Sequence, residues 1–355
     1  MTAVQSLPRA ASVTTARAAI IAGRRSRNRR RLLVIAALAV ALIAAVAASL
    51  MIGQTFYSPA QVIRVILGET VPGASFTVGE LRLPRTVTAV LAGTAFGLAG
   101  ATFQTMLRNP LASPDIIGIS SGASAAAVIA IVVLGISDTG VSLFALGGAL
   151  LTALAIYLLS HRGGFSGTRL ILIGIGLAAM LNAVVSFVLS RAASWDIQTA
   201  MQWLTGSLNG ASWDRVVPLL VAWVVLAPTM LATGRSLRIL QLGDDSAAGL
   251  GVRVQPTRIV LILGAVALLA FATAAVGPVA FVAFMAGPIA ARLVPAGGSP
   301  LLPSALVGAV LVIVADLIGQ FAFGTRYPVG VVTGVLGAPY LILLLIRTNR
   351  AGGSL

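Results

Sequence analysis

Residues 259–291 read IVLILGAVALLAFATAAVGPVAFVAFMAGPIAA, 33 consecutive positions without a charge. One helix of that length would measure about 50 Å, well beyond the ~30 Å hydrocarbon layer of a bilayer. Gly277 and Pro278 fall in the middle, where proline removes a backbone donor and clashes with the preceding turn. The stretch therefore predicts two membrane-spanning helices joined at a break.

The neighbouring charges mark out further spans. Uncharged runs occupy 86–107, 116–137, 139–160, 170–190, 216–234 and 327–346, each long enough for one helix, and 293–315 holds another, entered through Pro300 and Pro303. At the start, Arg9, Arg17, Arg24, Arg25, Arg27, Arg29, Arg30 and Arg31 precede the apolar run Leu32–Ile52. That run exceeds a signal-peptide core, so it reads as an uncleaved first span. The sum is ten helices, and an even number puts both termini on one side. The expected fold class is an all-α polytopic membrane protein, with residues 1–31 as a basic, disordered tail, 32–350 as one ten-helix domain and 351–355 as a short tail. With 58% apolar and 9% charged residues, the composition agrees.

All 24 basic residues are arginine, and the net charge of +15 would suggest nucleic acid in a soluble protein. Alternating ten spans from a cytoplasmic tail places Arg108, Arg162, Arg169, Arg235, Arg238, Arg253, Arg258, Arg292, Arg347 and Arg350 inside with the eight tail arginines. Arg64, Arg82, Arg85, Arg191, Arg215 and Arg326 fall outside, a bias of 18 to 6 that obeys the positive-inside rule. Topology thus accounts for the charge, and no nucleic-acid partner is expected. Gly93, Gly97, Gly100, Gly174, Gly176, Gly330, Gly334 and Gly337 read as helix-contact faces, because helices in lipid associate through small residues.

Several chemistries are missing. There is no cysteine, so no disulfide or thiolate metal site is available, and neither a cofactor nor a metal is expected. The one histidine, His161, stands beside Arg162 at a helix end, where a dipole interaction accounts for it. Asp316 is the one acid near a span interior, and without an intramembrane partner it reads as a cap or an interhelical hydrogen-bonding group. No Gly-x-x-x-x-Gly-Lys-[Ser/Thr] loop occurs. No catalytic constellation is present either, so uphill transport would need energy from a partner.

The longest polar interruption after residue 215 is Leu237-Arg238-Ile239-Leu240-Gln241-Leu242-Gly243-Asp244-Asp245-Ser246-Ala247-Ala248-Gly249-Leu250-Gly251-Val252-Arg253. Gly243 and Asp244 end one element and cap a short helix, Ala247 and Leu250 give it an apolar face, and Gly251 stops it. Such a helix is either an ordinary loop or a knob offered to a soluble partner.

Four ordered motifs carry a resemblance. They are Leu81-Arg82-Leu83-Pro84-Arg85, the loop Arg108-Asn109-Pro110-Leu111-Ala112-Ser113-Pro114-Asp115-Ile116-Ile117-Gly118, Leu242-Gly243-Asp244 through Ala247 to Leu250-Gly251-Val252, and Tyr327-Pro328-Val329-Gly330-Val331-Val332-Thr333-Gly334. Trp203-Leu204-Thr205-Gly206-Ser207-Leu208 is a weaker fifth. Together they resemble the FecCD/BtuC-type permeases of ABC importers for iron-siderophores, haem and vitamin B12. Gly287-Pro288-Ile289-Ala290-Ala291-Arg292, Gln320 and the run Tyr327 to Tyr340 look closer to the ferric-enterobactin branch.

The resemblance implies partners and roles. The partners are a second permease, a different chain favoured over a second copy, two cytoplasmic ATPase subunits and an extracytoplasmic substrate-binding protein, all around a permease embedded in lipid. Gly243, Asp244, Asp245, Ala247, Leu250 and Gly251 would form the helix that couples to the ATPase. Asn109, Pro110, Leu111, Ser166 and Thr168 match a cytoplasmic gate, although Asn109-Pro110 and Ser113-Pro114-Asp115 also suit a plain helix hairpin. Arg82, Arg85 and Arg326 would dock the binding protein, with Arg326 standing in for an arginine that family members carry where this chain has Gln320. Exposed arginines beside Pro84 could equally be interfacial anchors. The implied cargo is a ferric siderophore, the alternatives being haem or vitamin B12, or an ion-coupled transporter of another class.

Overall fold

The computed structural model describes residues 13–115, 117–136, 139–160, 167–295 and 297–350. Among them the chain forms helices and no strand: α1 (Val13–Met51), α2 (Pro59–Ile66), a π-helical segment (Ser75–Arg82), α3 (Leu83–Met106), α4 (Ile119–Val132), α5 (Thr139–Ser160), α6 (Gly167–Ser190), α7 (Ser194–Leu204), α8 (Trp213–Ala232), α9 (Gly234–Leu240), α10 (Asp244–Gly249), α11 (Val254–Val276), α12 (Val282–Leu293), α13 (Leu301–Phe321) and α14 (Val329–Arg350). Eight of these stretches are long and apolar enough to cross a membrane, and α4 and α12 are shorter apolar helices. Helices α1, α3, α4, α5, α6, α8 and α11 to α14 occupy the ten expected positions.

The expected break is present. Helix α11 ends at Val276, Gly277 takes φ +73°, and α12 begins at Val282 after Phe281 with φ +63°. A freed carbonyl finds a partner across the bundle: Ser207 N donates to Val276 O at 2.7 Å. Irregular backbone at membrane depth persists only where protein satisfies it in this way.

Three expectations shift. The tail expected to be disordered is helical from Val13, because its alanines and arginines favour helix and the apolar span supplies the nucleus that a short helix lacks; residues 1–12 and 351–355 lie outside the described residues. The ninth span runs from Leu301 to Phe321, past the charge that was expected to close it. The second span is preceded without interruption by the π-helical segment.

Asp316 is 2% exposed, and it has a partner after all. Arg85 on α3 donates through Nε and Nη2 to its two oxygens at 2.8 and 2.7 Å, and Gln320 Nε2 adds a bond at 2.7 Å. The third donor of Arg85 reaches Asn209 Oδ1 at 2.8 Å. Neutralised this way, the carboxylate does not end α13. The bonds tie α3, α13 and the loop after α7 together at one end of the bundle.

Helix α3 is the axis of the structure, buried along nearly all its length, whereas α1 and α6 lie at the periphery. Its glycines allow that position. A Cβ on Gly93 would strike the backbone of Gly308 and Ala309, one on Gly97 the backbone of Ser304, and one on Gly100 the carbonyl of Ala283. Trp223 Nε1 on α8 donates to Thr94 Oγ1 at 2.7 Å. Gly174, Gly330 and Gly337 make equally close contacts, but Gly176 and Gly334 face open space and are not contacts within this chain.

Two predictions follow from the packing. Gly100→Val should cost about 3 kcal/mol, the upper end for overpacking, and lower the yield of folded protein, while Gly176→Val should leave thermal unfolding in detergent near wild type. Asp316→Ala leaves the half-buried Arg85 without its carboxylate and should cost about 1–3 kcal/mol. The double change Arg85→Met with Asp316→Leu should recover most of that loss in the same melting assay.

Candidate functional site

Two clusters stand at opposite ends of α3. At its C-terminal end lies α10, a helix of six residues held between two glycines with positive φ, Gly243 at +106° and Gly251 at +82°. Gly243 is the residue before the helix and Asp244 its first member, so Asp244 does not cap it as the sequence suggested. Instead Asp244 accepts from Nη2 of the buried Arg258 on α11, at 2.9 and 3.2 Å. The negative charge also sits favourably in the first turn.

The apolar face differs from the expected Ala247–Leu250 pair. Ala247 is fully buried against the bundle, while Leu250 is 62% and Leu242 64% exposed. The reason is register: Val252 N donates to Ala247 O at 3.0 Å, folding the end of the helix back so that Ala247 points inward. Exposed side chains on α10 and its flanks include Asp245 on the helix, Leu242 before it and Leu250 after it.

The loop that follows α3 is tied to the end of α9, the helix before α10. Arg108 has φ +52°, uncommon for a residue with a side chain, and its Nη2 donates to Leu240 O at 3.1 Å. Asn109 Oδ1 accepts from Leu111 N at 2.8 Å, forming the turn at Pro110. Gln104 Nε2 donates to Pro110 O at 3.0 Å and Phe284 O at 2.9 Å, fixing the loop to α3 and α12. Burial pushes the Asp115 carboxyl above its ordinary pKa, and the hydroxyls of Ser120 and Ser113 oppose the shift.

Leu111, Ser113, Asp115 and Ser120 border a cavity of about 560 Å³ whose other wall is Leu204, Phe281, Phe284, Leu341 and Leu345. Thr168 is exposed in the first turn of α6, away from that wall, and Ser166 lies outside the described residues, as do His161, Arg162 and Asp138.

At the N-terminal end of α3, Arg82, Arg85 and Arg326 line a single cavity of about 430 Å³ with Gln54, Asn209 and Gln320. The three arginines chosen from sequence are therefore neighbours, but two are not the freely exposed side chains expected. Arg82 donates to Leu50 O at 2.9 Å and Thr55 O at 2.7 Å and lies over the Tyr57 ring, while Arg85 holds Asp316. Arg326 is exposed.

Arg108, Arg258 and Gln104 connect these parts and were not chosen from sequence. Arg258 carried a faint signal as the charge nearest the start of the apolar run that follows α10. Gln104 carried another, as an uncommon polar side chain within a span. Among the described residues no cluster of acidic or histidine side chains could hold a metal ion.

The family model of the FecCD transport family matches residues 25–347. The chain is 40% identical over 316 residues to the ferric enterobactin transport system permease protein FepG of Escherichia coli (strain K12), covering 88% of this chain and 95% of that one. It is 43% identical over 319 residues to the achromobactin transport system permease protein CbrC of Dickeya dadantii (strain 3937), covering 88% and 91%. A solved metal-chelate type ABC transporter in an inward-facing conformation superposes with a TM-score of 0.77 at 27% identity, over 89% of this chain and 99% of that one. A ten-helix bundle with these motifs in this order, matched along nearly its whole length, belongs to the FecCD transport family of membrane permeases.

Proposed function

We propose that this chain is the permease subunit of an ATP-driven importer of ferric-siderophore complexes, working with a second permease, two ATPase subunits and an extracytoplasmic binding protein. The observation that carries the reading is α10: a short helix clamped to α11 by Asp244 and Arg258, with Leu242, Asp245 and Leu250 exposed on it and its flanks. Apolar side chains flanked by an acid on a rigid knob suit insertion into a groove on a soluble partner. The arginine bias of the sequence supports a cytoplasmic position for this knob and for both termini.

Force applied to α10 has two ways into the bundle. The Asp244–Arg258 pair passes it to α11, and the Arg108–Leu240 bond passes it to the loop of Asn109, Pro110 and Leu111 beside the cavity. Closure of the ATPases would thus move α11 and that loop together, changing access to the cavity from the cytoplasm; Thr168 and Ser166 would belong to the other side of that gate. At the opposite face the cavity of Arg82, Arg85 and Arg326 is the binding-protein contact. Its arginines suit carboxylates on the delivering protein, and Arg326 is the most accessible of them. The siderophore cargo rests on the likeness to the enterobactin and achromobactin permeases.

Uptake of iron-55 presented as a ferric siderophore, measured in vesicles containing the assembled importer, should require ATP and continue in the presence of a protonophore. Asp245→Arg with Leu250→Asp should abolish both uptake and co-purification of the ATPase while membrane insertion is unchanged. Uptake that collapses with the proton gradient and ignores ATP would overturn the reading. Arg326→Glu should weaken binding-protein affinity by about tenfold, the size of one lost charge contact plus repulsion, and leave the ATPase attached.

A further inference from the structure

The N-terminal extension of α1 provides a feature that none of the roles above uses. Arg24, Arg27, Asn28 and Arg31 recur at helical spacing on one face of α1. Arg235 and Arg238 recur in the same way on α9, and these two stripes, with Arg25, line a basin of about 760 Å³ closed by Pro295, Gly297 and Gly298. Its position is held by the protein itself, since Arg31 donates to Ser299 O and Arg238 donates to Gly297 O. Six guanidinium groups thus surround one space, with no carboxylate in its lining.

Among the described residues none of the six pairs with a carboxylate. The first acidic residue of the chain is Glu69, and the described acids at this end of α3 are Asp115, turned to Ser120, Asp244, turned to Arg258, and Asp245 on α10. Two facing rows of cations repel unless an anion lies between them.

Geometry selects the kind of anion. Arg24 to Arg31 covers about 10 Å of helix, enough to reach through a headgroup layer of roughly 5–8 Å, and Arg31 is followed directly by the apolar run. Leu32 and Leu33, next along α1, are 59% and 61% exposed, so an acyl chain has an apolar surface to lie against immediately beyond the arginines. A soluble phosphate would use the basin without that surface.

We propose that this basin binds the phosphate headgroup of an anionic phospholipid and fastens α1 to α9 and the loop of Gly297 to Ser299. Arginine forks recognise phosphate oxygens in pairs, and basic pockets between helices at a membrane face are suited to lipid phosphates. The site requires only that α1 crosses a bilayer, so it stands apart from the identity of the cargo and of the ATPase.

The test reconstitutes the assembled importer in nanodiscs of phosphatidylcholine with a minor fraction of phosphatidylglycerol, then measures lipid retained after detergent exchange by mass spectrometry. Wild type should retain phosphatidylglycerol several-fold above its bulk share. The triple change Arg24→Gln, Arg27→Gln, Arg235→Gln should lose retention, about fivefold for each arginine. The matching triple lysine variant should keep most of it, which separates lost charge from misfolding. Retention at the bulk ratio in wild type, or undiminished in the glutamine variant, would overturn the proposal. So would displacement of the lipid by millimolar inorganic phosphate at constant ionic strength, which would assign the site to a soluble anion. Loss of ATPase co-purification with unchanged lipid retention would assign the surface to a protein partner and likewise overturn it.

Discussion

The close approach of backbones along α3 is the constraint from which the rest of the structure follows. In lipid there is no water to expel from between helices, so their association depends on contact area and on hydrogen bonds. Gly93, Gly97 and Gly100 let α3 lie directly on the main chains of α13 and of the start of α12. A helix held by backbone contact has little freedom to tilt or slide. It therefore acts as a strut, with Arg85 and Asp316 at one end and Arg108 against Leu240 at the other.

The placement of charge follows the same logic. The half-buried Arg85 and the buried Arg258 are each committed to a carboxylate, on α13 and α10 respectively. The side chains left outward, such as Asp245, Arg326, Arg24 and Arg25, lie at the ends of the bundle. Charge in this chain is thus divided between fastening the helices and addressing what lies beyond them.

Much of this was legible in the sequence, for identifiable reasons. Span number followed from charge spacing and from Gly277-Pro278, because length and backbone chemistry are local properties. The glycines of α3 announced a contact face for the same reason. What stayed hidden were pairings over long separations: nothing near Asp316 points to Arg85, 231 positions away. The direction of Ala247 was also hidden. It depends on the Val252–Ala247 bond after the helix has ended, which helical spacing does not foresee. Arg82 and Arg85 were located correctly but assigned too much freedom, since their partners come from the α1 end and from α13.

The two short helices have a further consequence. Helix α4 has 14 residues and α12 has 12, which amounts to roughly 21 and 18 Å of rise. Neither reaches across ~30 Å of hydrocarbon, and the irregular segments that complete them, before Ile119 and before Val282, border the same cavity. That cavity is therefore bordered by backbone with no regular hydrogen-bond ladder to break, and it could change shape without prising apart the glycine-packed helices on which the fold depends.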